Sequence, residues 1–511
     1  MKRILSHSLF SSAEKYPQNI AFKQHNQSIS YEELTYKSNS LANFLLDIGV
    51  AKGDRIGILM NRSLESAYSV YGIFSAGAAY VPIDSNLPIN RIKEIILDCE
   101  IKVIISNNQF KDKVVQLGAE NTSLEYIIGI DQDASDDTKV FSWTDILSFK
   151  KSSPSVSLAE TDIAYIMYTS GTTGHPKGIV HTHFSGYSYA KLSAELYSID
   201  SNDILGNHSH LHFDISTLGY LTMPSVGGCT ILVPEAHTLF PTSLSKLIEA
   251  EKMTIWYSVP LALIQMLQSG SLADKDLSHL KWVLFGGEPF AVKHIKELFK
   301  FLPEATFSNV YGPAEVNQCT YYNFNKDTKL QQPLSLGNAW PETKVKILEG
   351  EESGKEGELL VASSTQMKEY WNQPTLTDKC FITEKDSDGV EQRYYKTGDI
   401  VKLLDSGDLV FLGRSDRQIK VRGHRVELNE IENTLIKNND ILEAAVYSKR
   451  LEDAWAIFAD VVGNGKMITQ SEIKKYLSTL LPHYAMPMEI RITDSIPRTN
   501  AGKVDYKSLA K

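Results

Sequence analysis

Apolar residues follow two rhythms along this chain. Over residues 31–46 they return every three or four positions, which predicts an amphipathic helix, and residues 91–97 and 244–250 repeat the pattern. Elsewhere they form short unbroken runs. Residues 55–60 (RIGILM), 103–106, 229–233, 253–257 and 282–285 predict buried strands. Helices alternating with such strands predict an α/β fold with largely parallel sheets. The most apolar long stretch, 67–83, is broken by Ser75 and Gly77 and ends in Tyr80-Val81-Pro82-Ile83. It reads as a buried helix running into a strand, not as a membrane span.

The rhythm shortens from residue 359. GELLVAS, RYYKTGD and SGDLVFLG are brief strands with turns, the pattern of a small β-rich subdomain. A polar stretch at 413–418 separates them from VRGHRVE, a helix over 428–437, a strand over 444–447 and a second helix near 473–480. We place a domain boundary there, with a large N-terminal α/β domain over 1–413 and a small α+β domain over 414–511. At 511 residues the chain is too long for one core.

Composition narrows the function classes. The chain is 42% apolar and 22% charged, as soluble globular proteins are. A net charge of −10 argues against non-specific binding to nucleic acid or to anionic membranes. Cys99, Cys229, Cys319 and Cys380 are far apart and form no C-x-x-C pair, so they read as reduced thiols of a cytoplasmic protein, not as a disulfide frame or zinc site. The start, MKRILSHSLFSSAEKYPQ, lacks the sustained apolar core of a signal peptide, which agrees with a cytoplasmic location.

The first chemical signal is YTSGTTGHPKG, residues 168–178, directly after the apolar run 163–167. Gly-rich turns present backbone N–H groups that nest an anion, and Lys177 adds a point charge, so the loop points to a polyphosphate. It is not a Walker A motif, which needs Gly-Lys followed by Ser or Thr. The Gly-Lys pairs at 354–355, 465–466 and 502–503 lack that residue.

This loop resembles the phosphate-binding signature of adenylate-forming enzymes: acyl-CoA synthetases, luciferases and the adenylation domains of nonribosomal peptide synthesis. Further matches follow in that family's order: SYEEL (30–34), SAGAAYVPID (75–84), FDIS (213–216), NVYGPAE (309–315), YKTGD (395–399), GRSDRQIKVRGHRVELNEIE (413–432) and NAGKVD (500–505). They span nearly the whole chain. The resemblance implies the family's fold, in which the small C-terminal domain is mobile.

It also implies a chemistry. A carboxylate is a poor acyl donor, so it attacks the α-phosphate of ATP, releases pyrophosphate and becomes an acyl-adenylate; such a site must neutralise a triphosphate and align the reactants. Thr169, Ser170, Gly171, Thr172, Thr173, Gly174 and Lys177 would cradle the phosphates. Tyr311 and Gly312 would meet adenine, and Asp399 would accept both ribose hydroxyls. Glu315 would ligate Mg²⁺. Arg414 would brace the ribose or phosphate side. Lys503, on a glycine turn near the C-terminus, would enter between carboxylate and α-phosphate as the main catalytic cation. Because Lys503 belongs to the small domain, that domain would close for adenylation and then pivot at 416–420 to admit a thiol acceptor. One position departs from the family pattern: Ala314 stands where a Thr hydroxyl would meet the α-phosphate, a hydrogen bond worth about 1.5–3 kcal/mol.

Asp214, in HLHFDIST, distinguishes subfamilies. In amino-acid-activating members an Asp here pairs with the substrate ammonium, whereas fatty-acid activators have no cation to pair. The implied side-chain pocket is lined by Ile215, Leu218, Tyr257, Leu284, Gly286, Val310, Gln318 and Cys319. That wall is uncharged and mainly apolar, which suits a small neutral side chain. LHFD, TIWYSVP and NQCTYY are similar to enzymes that load L-proline onto carrier proteins; glycine, alanine, serine and threonine also fit. The sequence holds no carrier domain after Lys503, so the expected acceptor is the phosphopantetheine thiol of a separate carrier protein, with Lys420, Arg422 and Arg425 as a basic face for it. The competing expectations are an acyl-CoA synthetase and a non-catalytic binding relative.

Overall fold

The computed structural model describes residues 3–120, 122–131, 138–171, 175–349, 355–385, 389–451, 454–465, 468–499 and 503–510. The first predicted helix spans Tyr31–Asp47. It opens with a capping box in which Ser30 accepts from the Glu33 N–H while the Glu33 carboxylate accepts from the Ser30 N–H. Its buried face includes Leu34, Leu41, Phe44 and Leu45. It packs on the helix Leu64–Ala76, where Gly72 permits the close approach because a Cβ would overlap Leu41. That second helix ends at Gly77, held at φ 82°, and leads into the strand Ala79–Pro82. The apolar stretch at 67–83 is therefore a core helix and strand, and among the described residues no helix is long and apolar enough to cross a membrane.

Two large sheets follow. In an eight-stranded sheet, Arg55–Ile58 lies between parallel neighbours Ala79–Pro82 and Val103–Ile105. The other sheet has 14 strands and changes character along its width. Ile204–Asn207, Ile255–Ser258, Trp282–Gly286 and Thr306–Tyr311 run parallel and are largely buried on both faces, which is why Trp282–Gly286 is continuously apolar, whereas Thr306–Tyr311 buries Ser308 and Asn309. Thr320–Phe324 and Ser335–Ala339 then run antiparallel and lead to Leu409–Arg414, Glu391–Leu403, Glu356–Ser363 and Thr343–Glu349. The β-rich stretch read from the sequence is thus an antiparallel extension of the parallel sheet.

The described residues group into two compact units. One comprises Met1–Ser85, Cys99–Met167 and Gly178–Gly413, and the other comprises Asn86–Asp98, Tyr168–Lys177 and Arg414–Lys511. In the smaller unit, Ile441–Leu451 pairs antiparallel with Ala454–Gly463, which is parallel to Glu489–Ile492. The strand predicted at 444–447 is therefore longer at both ends. Helices Leu428–Ile436 and Gln470–Ser478 cover one face of this sheet, with Ile431, Leu435, Ile473 and Leu477 packed among Val446, Ile457, Ala459, Val461 and Ile490. A hairpin joins Gln418–Val421 to His424–Glu427, its turn residues Arg422 and Gly423 at φ 52° and 82°. The buried Arg91–Glu430 ion pair fastens Ile89–Asp98 to Leu428–Ile436. The cysteines are all free thiols.

The strand Thr306–Tyr311 carries its load on Phe307, which is fully buried against Phe299 (centroids 5.2 Å apart) and Phe324 (5.9 Å). Phe307→Ala is expected to cost about 3–5 kcal/mol. Urea unfolding of the larger unit measures it, and a loss below about 1 kcal/mol contradicts this placement of the core.

Candidate active site

In the larger unit the parallel strands end together and present their last side chains at one edge, where open α/β sheets bind ligands. Tyr257 is opposite Leu284, and Gly286 is opposite Val310. A Cβ on Gly286 would strike the Val310 carbonyl, so glycine is required for the strands to lie this close. Leu218, Tyr257, Leu284 and Val310 are buried in one cluster, with Ile215, Tyr321 and Trp340 against it. Gln318 donates from Nε2 to the Tyr257 hydroxyl at 2.8 Å. Cys319 goes elsewhere. Its side chain packs with Ile179, Val316 and Leu336, and its thiol lies 3.4 Å from the Tyr311 carbonyl.

Asp214 stands beside this cluster in a short turn, Asp214–Ser216, half-buried. Its Oδ1 accepts from the Ile215 N–H at 2.9 Å, and its carbonyl accepts from Thr217 Oγ1. Burial, reinforced by the Asp214 charge, raises the phenols of Tyr189 and Tyr257; burial dominates for Tyr165 as well, where Asp214 again adds to it. Asp214 thus places a carboxylate beside buried tyrosines that keep their protons.

The turn after Thr306–Tyr311 is built by Gly312, since a Cβ there would meet the Asn317 carbonyl as the chain doubles back. Tyr311 donates its hydroxyl to Asp399, which comes from Glu391–Leu403. Burial first and the Asp399 charge second hold that phenol well above its usual range. Glu315 is fully buried, and its Oε1 accepts from the Tyr370 hydroxyl at 2.6 Å. The Ala314 carbonyl faces Nε2 of His181 at 3.0 Å. Burial pushes the His181 pKa down to about 4, so the ring is neutral near pH 7, and the carbonyl assigns the proton to Nε2. His181 stacks on Tyr165 with ring centroids 4.7 Å apart. The turn that lacks a threonine hydroxyl is thus held through its backbone.

The strand Ile163–Thr169 delivers its last residue to the glycine-rich loop, and Lys177–Thr182 begins on the other side; Tyr168–Lys177 belong to the smaller unit. Ser170 donates to the Arg425 carbonyl at 2.9 Å. Lys177 lies 3.9 Å from Glu427, their side chains 9% and 2% exposed. Burial raises the Glu427 carboxyl, against the pull of Arg425 and Lys177. Arg414 grips Asp416 with two bonds of 2.7 Å. Lys503 is exposed, and Thr172, Thr173 and Gly174 lie outside the described residues. Among the described residues no group of three or more His, Cys, Asp or Glu could hold a metal. Glu315 alone fits Mg²⁺, which binds one or two carboxylates and takes its other ligands from phosphate and water.

Sequence reasoning missed the partners. His181, Tyr370 and Glu427 each hold a residue singled out from the sequence, yet none of them was itself given a role there.

The chain matches the model of the AMP-binding enzyme family over residues 9–371 and that of the AMP-binding enzyme C-terminal domain over 430–503. It is 29% identical to the L-proline–[L-prolyl-carrier protein] ligase of Pseudomonas fluorescens over 517 residues, covering 100% of this chain and 99% of that protein. It is 32% identical to gramicidin S synthase 2 of Brevibacillus brevis over 502 residues, covering 97% of this chain but only 11% of that protein. In fold it is similar to the adenylation domain AlmE of Vibrio cholerae, solved with glycyl-adenosine-5'-phosphate, at TM-score 0.86 and 23% identity over 100% of this chain and 97% of that one. With its loop, paired Tyr311 and Asp399, and matches over most of its length, the chain belongs to the AMP-binding enzyme family.

Proposed function

We propose that this enzyme activates a small neutral amino acid as its aminoacyl-adenylate and passes it to the phosphopantetheine thiol of a separate carrier protein. L-proline is the first candidate, ahead of glycine, alanine, serine and threonine. The observation that carries this reading is Asp214 among buried tyrosines at the strand ends, an anion set beside an uncharged pocket. An α-ammonium fits that anion, and the Tyr257–Gln318 pair limits the room for a side chain. The likeness along the full length of a prolyl-carrier protein ligase supports proline and the carrier. Cytoplasmic work is consistent with the free thiols.

In the first half-reaction the substrate carboxylate attacks the α-phosphorus of ATP and pyrophosphate leaves. Asp399 and Tyr311 hold the nucleoside. Thr169, Ser170 and Lys177 take the phosphates, and Arg414 braces them. Mg²⁺, when bound through Glu315 and phosphate oxygens, neutralises charge on the leaving group. Lys503 bridges carboxylate and α-phosphate, where the negative charge develops. In the second half-reaction the carrier thiol attacks the acyl carbon, a thioester forms and AMP leaves. Residues 414–511 pivot at 416–420 between the two. Lys420 and Arg422, on the hairpin, offer positive charge to an acidic carrier.

Pyrophosphate exchange into ATP across the twenty amino acids and several fatty acids tests the assignment. Exchange is expected with small neutral amino acids alone, and Asp214→Ala should raise their KM about tenfold to a hundredfold by stranding the ammonium. No exchange with any acid, or a fatty-acid preference, overturns it. For the mechanism, Lys503→Ala is expected to abolish adenylate formation while thioester transfer from supplied adenylate continues. Equal loss of both half-reactions contradicts the two-arrangement cycle.

A further inference from the structure

The segment that carries Lys503 is fastened three residues downstream. Tyr506 lies flat under Arg417, whose Cζ is 3.7 Å from the ring centroid. Its hydroxyl is 2.9 and 3.0 Å from the two oxygens of Glu432 and 2.9 Å from Nη1 of Arg417. A phenol has one proton, which goes to the carboxylate, while its oxygen accepts from the guanidinium. Burial, then the Glu432 bond, raises this phenol to about 12, so it keeps its proton at neutral pH.

Glu432 accepts from more than the phenol. Arg417 Nη2 donates to its Oε2 at 3.1 Å, and the Val446 N–H donates to the same oxygen at 2.8 Å. Arg417 also donates to the Val446 carbonyl and to Asn429. One carboxylate therefore joins the segment before Gln418–Val421, the helix Leu428–Ile436, the strand Ile441–Leu451 and the C-terminal tail. On the tail itself, Thr499 N–H donates to the Lys503 carbonyl at 2.7 Å and Asp505 N–H donates to the Pro497 carbonyl at 2.9 Å. Leu509 is buried with Ala445, Tyr447 and Ile496. The Lys503 carbonyl is held by Thr499, while the Lys503 side chain is exposed.

We propose that Arg417, Glu432 and Tyr506 are positioning residues for Lys503. They fix the base of its turn to the segment 416–420, so that the lysine side chain starts from a constant place and follows the setting of the pivot. This rests on the reading that Lys503 drives adenylation. The three side chains bond to one another, to Asn429 and to Val446, and their expected effect on adenylation runs through the lysine.

Tyr506→Phe keeps the ring under Arg417 and removes the hydroxyl; Tyr506→Leu removes both. For adenylate formation, kcat is expected to fall about tenfold in the first and about a hundredfold in the second, with KM for ATP and amino acid within about twofold of wild type. Thioester transfer from supplied adenylate should keep its wild-type rate in both. Lys503→Ala combined with Tyr506→Leu should be no slower than Lys503→Ala alone. Equal losses in both half-reactions, additive losses in the double variant, or wild-type kinetics in Tyr506→Leu overturn the clamp. If Lys503→Ala itself exchanges at the wild-type rate, the reading beneath the clamp has failed and the clamp falls with it.

Discussion

A carboxylate set among buried side chains needs partners, because leaving it uncompensated costs several kcal/mol. Asp214 is such a carboxylate, half-buried in a short turn beside the strand ends. One oxygen accepts from the Ile215 N–H, and three buried tyrosines feel its charge. In the proposed function a substrate ammonium is one further partner of this carboxylate. Beside it Leu218, Leu284 and Val310 and the hydrogen-bonded Tyr257–Gln318 pair carry no charge.

Opposite charges are managed differently at the phosphate end. Lys177 lies near Glu427, and Arg414 holds Asp416 in a two-bond grip. Lys177 and Arg414 therefore each have an acid beside them. Such pairs keep long side chains ordered and limit the desolvation cost of buried charge. In the proposed mechanism a triphosphate competes with those acids for Lys177 and Arg414. The exposed Lys503 stands apart from this arrangement, with its freedom limited through the backbone by Tyr506 and Glu432.

Much of the fold was legible because burial on both faces forces an unbroken apolar run, as in Ile255–Ser258 and Trp282–Gly286, and because the Ser30–Glu33 box marks a helix start. The strand at 441–451 was underestimated since Lys449, Arg450 and Leu451 lie on its partly exposed end, where period and polarity no longer signal a strand. The antiparallel stretch was visible, but its union with the parallel sheet depends on Ser335–Ala339 pairing with Leu409–Arg414, which no local pattern encodes. At the site, Tyr257 and Val310 were brought together as expected, whereas Cys319 turns its side chain to another cluster. Hydrogen-bond partners such as His181 and Tyr370 were invisible, because long-range pairing leaves no periodic trace.

The central claim is that Asp214 grips an α-ammonium while Asp399 and Tyr311 hold the nucleoside. A crystal structure of the protein with a non-hydrolysable prolyl- or glycyl-adenylate analogue tests it most directly. The account predicts the ammonium about 3 Å from an Asp214 oxygen and the ribose hydroxyls on Asp399. An amine pointing away from Asp214, or an adenosine bound at another surface, contradicts it.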